Sequence, residues 1–83
     1  MKILYFAWLR ERVGKAEDDI APPAEVTTVG ELMNYLKTLG PEYDHAFSDI
    51  AAIRAAIDQA HAEHDAPIGD AREIALFPPM TGG

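Results

Sequence analysis

The chain has 83 residues, room for one small domain with a thin core and little space for an enclosed catalytic cavity. Seven Lys and Arg stand against 14 Asp and Glu, a formal net charge of −7. That balance argues against nucleic acid and anionic membranes, which need a basic face, and favours a partner with a positive groove. There are no cysteines, which rules out disulfides, cysteine nucleophiles and thiolate metal sites.

The apolar run from Met1 to Leu9 is too short to span a membrane, and no small-residue cleavage site follows it. A cytoplasmic location is expected. Within this run Ile3 to Trp8 reads as a strand, with a turn or one helical turn over Arg10 to Lys15. Glu17 to Ala21 is a candidate second strand, antiparallel to the first and stopped by Pro22-Pro23.

Thr28-Val29-Gly30-Glu31 has the spacing of a capping box. Val29, Leu32, Met33, Leu36 and Leu39 then recur at helical spacing, which predicts a helix over Val29–Leu39. Gly40-Pro41 is expected to close it with a left-handed cap, leaving a loop from Gly40 to Ser48 that contains His45.

Residues Ala51 to His64 are ambiguous. Alanine content and the spacing of Ile50, Ile53 and Ile57 suit a helix, whereas Ile53, Ala55 and Ile57 also alternate as in a strand. Ala66 to Asp70 reads as a turn. Glu73 to Phe77 reads as a strand, with Ile74 and Leu76 on one face and Ala75 and Phe77 on the other.

The chain then runs Pro78-Pro79-Met80-Thr81-Gly82-Gly83. Two prolines prevent further sheet pairing and stiffen the exit. Six extended residues reach roughly 20 Å, farther than the ~12 Å radius of gyration expected of such a body. Glycines without Cβ can enter a slot too narrow for side chains. This tail can carry its terminal carboxylate into another protein's active site, where activation, for example as an acyl-adenylate, makes it an electrophile.

Three segments carry a family resemblance. Tyr5-Phe6-Ala7-Trp8-Leu9-Arg10-Glu11-Arg12-Val13-Gly14, Thr28-Val29-Gly30-Glu31-Leu32 and Glu73-Ile74-Ala75-Leu76-Phe77-Pro78-Pro79-Met80-Thr81-Gly82-Gly83 resemble the small subunit of molybdopterin synthase, the MoaD family of ubiquitin-like sulfur carriers. The resemblance implies an α+β protein of β-grasp (ubiquitin-like) fold, a mixed sheet packed on one main helix. Residues 1–77 would form the domain and 78–83 a flexible Gly-Gly tail. The first and last strands become parallel central neighbours, and Ile53–Gln59 becomes a strand with Asp58 where the family usually has Asn. Asp70-Ala71-Arg72 replaces the family's Asp-Gly turn, so Ala71 is expected to strain.

For function, the resemblance implies that an activating enzyme adenylates Gly83 with ATP and a sulfur donor converts it to a thiocarboxylate. The tail, through Pro78, Pro79, Met80, Thr81 and Gly82, then enters the large synthase subunit, where the sulfur is given to the pterin precursor. The carrier itself binds no cofactor or metal, and the acid–base groups belong to the partner. The rival readings are a carrier of thiamine thiazole synthesis, which usually lacks the double proline, or a protein modifier. A different class would be a metal-binding or hydrolytic protein using His61, His64, Asp65 and Asp70, whose two histidines share a face only on a helix.

A docking expectation follows from the first strand. Ile3, Tyr5 and Ala7 are assigned to the helix side, and Leu4, Phe6 and Trp8 to the outer side. If first and last strands are neighbours, Phe6 and Phe77 form an exposed aromatic patch at the root of the tail, unless the Gly40–Ser48 stretch covers it.

Overall fold

In the computed structural model, which describes residues 1–79, the apolar start of the chain is strand only as far as Tyr5. Strand β1 spans Lys2–Tyr5, and helix α1 spans Ala7–Val13. The expectation of a strand through Trp8 is thus corrected. The Phe6 N–H still donates to the Leu76 carbonyl (3.1 Å), but the Phe6 carbonyl already accepts from Leu9 N (3.1 Å) and Arg10 N (3.4 Å). Ala7 makes the swing at φ 52, a left-handed angle uncommon for a residue with a Cβ. Leu9 and Val13, four apart, are buried by this helix, and that burial favours it over a longer strand. Gly14 ends α1 at φ 88, its N–H bonded to the Arg10 carbonyl at 2.9 Å.

Strand β2 (Glu17–Asp19) returns antiparallel to β1, with Ile3 opposite Asp18. Helix α2 covers Val29–Leu36 and tightens into a 3₁₀ turn over Lys37–Leu39. The capping box is present: Thr28 Oγ1 accepts from Glu31 N (3.2 Å), and Glu31 Oε1 accepts from Thr28 N (3.2 Å). The same carboxylate also accepts from the Thr27 N–H and hydroxyl, both at 2.8 Å. These bonds, the Thr27 N–H first, lower the Glu31 pKa. Val29 N donates to Ala66 O (3.1 Å) and Gly30 N to His64 O (2.8 Å), so the strap 64–66 satisfies the remaining donors of the first turn. Val29, Leu32, Met33 and Leu36 are fully buried, whereas the 3₁₀ turn rotates Leu39 into solvent.

Gly40 is extended (φ 163), not a left-handed cap, and Pro41 opens a further helix, α3 (Pro41–Ala46), instead of a loop. Proline suits a first helical position because its missing N–H would have no partner there. Tyr43, Ala46 and Phe47 bury one face of α3. The rings of Tyr43 and Phe47 meet Tyr5 edge-on, with centroids 6.4 and 6.3 Å away. His45 lies on the exposed side of α3.

After a 3₁₀ turn at Ile50–Ala52, the alanine-rich segment forms a hairpin of β3 (Arg54–Ile57) and β4 (Ala60–Ala62). Asp58 and Gln59, at φ 48 and 74, make its two-residue turn. Asp58 Oδ1 accepts from Arg72 N and Glu73 N, both at 3.0 Å, which anchors a turn that would otherwise be strained. Strand β5 is Glu73–Phe77. Ala71 is not strained: its φ is negative, and Gly69 takes the left-handed angle (φ 43) instead.

The five strands form one mixed sheet in the order β2-β1-β5-β3-β4, with β1 and β5 as parallel central neighbours. Ile3, Tyr5, Ile53, Ala55, Ile74 and Leu76 face α2 and α3 and are at most 1% exposed. Each large apolar side chain so buried contributes about 1.5–3 kcal/mol. This is the β-grasp, or ubiquitin-like, fold. Among the described residues no helix is long and apolar enough to cross a membrane.

Candidate functional site

Because β1 and β5 are parallel, both end at the same edge of the sheet. Tyr5 stands opposite Leu76, and one step further Phe6 comes beside Phe77. Both are on the outer face, since alternation points Tyr5 and Leu76 to the core. Phe6 is 46% exposed, the largest exposed apolar side chain among the described residues, and Phe77 is half-buried. The Gly40–Ser48 stretch leaves this corner uncovered, because α3 packs on Tyr5 at the opposite face. Ala7 and Trp8 drop out of the strand alternation. Trp8 is half-buried on α1, with the Arg12 guanidinium 4.4 Å over its ring.

Beyond Phe77 come Pro78 and Pro79, both half-buried, which bring no N–H to the ladder. Met80, Thr81, Gly82 and Gly83, named above for the tail, lie outside the described residues. Toward the sheet centre the outer face continues with Leu4, Ala75, Ala56 and His61, aligned across four strands. Arg54 stands opposite Phe77. The reading of the sequence missed Arg54, because only the register of β3 on β5 aims it outward.

This corner is an exposed surface. A cleft of about 620 Å³ lies at the far end of the sheet, between Pro22-Pro23 and Pro67-Ile68 near Met1, with Asp70 the only carboxylate among the described residues that line it. Among the described residues no group of three or more His, Asp or Glu could hold a metal ion. The helix that His61 and His64 would need is absent. His61 sits on β4, 3.5 Å from Glu63, and His64 Nε2 bonds the Ile53 carbonyl at 2.6 Å. Asp65 and Asp70 occupy separate exposed turns.

Ionisable groups do converge around Asp18, but on the core side. Asp18 Oδ2 accepts from the hydroxyls of Tyr43 (2.6 Å) and Tyr5 (2.9 Å), and Oδ1 faces Lys15 Nζ at 3.3 Å. Burial pushes the Asp18 carboxyl up, yet the bonds from Tyr43, Tyr5 and Lys15 outweigh it and hold the pKa below the usual range. Burial and the Asp18 bond raise the pKa of Tyr5, and likewise that of Tyr43. Both therefore remain donors. The cluster ties β2, β1 and α3 together.

A β-grasp domain whose last strand ends at an exposed aromatic corner belongs to the ubiquitin-like class. The ThiS family matches residues 3–83, and the chain belongs to that family. It is 35% identical to the molybdopterin synthase sulfur carrier subunit of Escherichia coli (strain K12), over 100% of this chain and 99% of that one. It is 29% identical to the protein of the same name from Dictyostelium discoideum, over 99% and 94% of the two chains. The fold is also that of SAMP1 from Haloferax volcanii, with a TM-score of 0.74, 24% identity, and coverage of 100% and 98%. The chain is thus a ubiquitin-fold sulfur-carrier protein homologous to the small subunit of molybdopterin synthase.

Proposed function

We infer that this chain is the sulfur carrier of a molybdopterin synthase, and that the Gly83 carboxylate is its working group. The observation that carries the reading is the likeness to the Escherichia coli sulfur carrier subunit along the whole length. The exit of β5 through Pro78-Pro79 beside Phe6 supports it. A terminal carboxylate is a poor electrophile. An activating enzyme spends ATP to join it to AMP, releasing pyrophosphate, and a sulfur donor then displaces AMP to leave a thiocarboxylate. Phe6 and Phe77 dock the body on the large subunit while Pro78, Pro79, Met80, Thr81 and Gly82 thread toward its active site. There the terminal sulfur passes to the pterin precursor, and hydrolysis of the spent acyl group restores the carboxylate.

This chain contributes sulfur and position, and the partner contributes acid–base groups. The activating enzyme, sulfur donor and large subunit act on it in the cytoplasm. Intact mass after incubation with ATP, activating enzyme and sulfur donor is the direct test. A gain of about 16 Da, sulfur replacing one oxygen, is expected of this covalent carrier chemistry. Deletion of Gly83 should abolish both the mass gain and sulfur transfer while leaving the thermal midpoint nearly unchanged. Full transfer by the deleted chain would exclude the carrier reading.

A further inference from the structure

The outer face of the sheet has a second half that the aromatic corner does not explain. Ile53 and Ala55 are fully buried, so Arg54 between them projects outward, where it is exposed. Its cross-strand partner is Phe77. The two backbones are therefore about 5 Å apart, within easy reach of a long side chain. A surface that covers Phe77 must also cover, or border closely, the Arg54 guanidinium.

Among the described residues no carboxylate lies within ion-pair distance of Arg54. Glu63, the residue just past the β4 partner of Ala55, is engaged with His61 at 3.5 Å. Lys2, another cation on this face, stands 3.7 Å from Glu17 and pairs across the sheet with Asp19 and Glu73. In a chain of net charge −7, Arg54 is thus a cation with no ion-pair partner among the described residues, beside the most exposed apolar corner.

We propose that Arg54 receives a carboxylate of the protein that docks over Phe6 and Phe77, and so selects a partner with an acidic side chain next to its apolar contact. The inference rests on the docking reading above and adds the chemistry of the partner surface. A guanidinium covered without an acceptor loses its water uncompensated, so a partner lacking one is disfavoured. The planar fork of Arg also matches a carboxylate through two parallel bonds. Other anions fit less well. The net charge of −7 works against nucleic acid and against an anionic membrane.

Calorimetry of the full chain with the large synthase subunit, at low and at high salt, tests the pairing. Arg54→Glu should weaken binding about 30-fold or more at low salt, since a close pair becomes a repulsion. Arg54→Met keeps the apolar stem, and should weaken it about tenfold and flatten the salt dependence. Arg54→Lys keeps the charge but not the fork, and should fall between the parent and Arg54→Met. Lys37→Glu, on the helix side, changes net charge equally and should stay within about twofold. Arg54→Glu binding within twofold of the parent, with parental binding intact, overturns the pairing and leaves the docking reading standing. A parent chain that does not bind overturns that reading and the inference with it.

Discussion

The Tyr43 hydroxyl donates to Asp18 Oδ2 at 2.6 Å, joining α3 to the edge strand β2. Tyr5 donates to the same oxygen from the neighbouring strand, so one carboxylate ties three elements together. Tyr5 is 1% and Tyr43 7% exposed. Asp18→Ala strands both hydroxyls and should cost about 2–4 kcal/mol in denaturant unfolding.

The same carboxylate makes stability depend on pH in a defined direction. Its folded pKa is lowered, so its contribution is fully present above the unfolded value of about 3.9. It is lost as pH falls through the folded value. The parent should therefore lose stability in the acid range more steeply than Asp18→Asn, which should start less stable at neutral pH. Superimposable acid limbs for the two proteins would reject the linkage.

Gly30 stands where another residue would press on the strap. A Cβ there would lie 3.3 Å from the His64 carbonyl oxygen, which already accepts from Gly30 N. His64 cannot easily retreat, because its ring is bonded to Ile53 O. Gly30→Ala should therefore destabilise by about 1 kcal/mol despite the better helix propensity of alanine. The penalty should shrink in a His64→Ala background, where the strap can move. Equal penalties in both backgrounds would place the cause elsewhere.

Thr28→Ala removes the side-chain acceptor of the Glu31 N–H and should cost about 1 kcal/mol. Sulfur transfer at moderate temperature should survive. A loss above about 3 kcal/mol would assign Thr28 a role beyond the cap.

Phe6→Ala and Phe77→Ala should each weaken binding to the large subunit by about 1–3 kcal/mol. Phe6 is nearly half exposed, so its truncation should cost the isolated domain less than the about 3–5 kcal/mol typical of a buried ring. Calorimetry paired with thermal unfolding separates the two effects. Unchanged affinity with a severe stability loss would make these rings structural.

The start of α2, the burial of Ile74 and Leu76, and the antiparallel return at Glu17 were legible in the sequence. The capping box of α2 joins residues at most four apart, and one-face burial writes itself as a period along a few positions. Helix α3 was missed although Pro41 and the spacing of Tyr43, Ala46 and Phe47 announce it; the run is shorter than the usual window for periodicity.

Tertiary structure decided the rest. Residues Arg54–Ala62 have the composition of a helix, yet pairing with β5 and burial of Ala55 make them a hairpin, at the expense of two left-handed residues. Trp8 has the composition of a strand residue but lies on α1, because Leu9 and Val13 reach the core only when the chain turns at Ala7. Arg54 faces outward beside Phe77 through a register set by residues about twenty positions away. Local preferences are worth a few tenths to about 1 kcal/mol per residue, and burial of one large side chain outweighs several of them. Which preference survives therefore depended on partners that adjacency in the chain does not reveal.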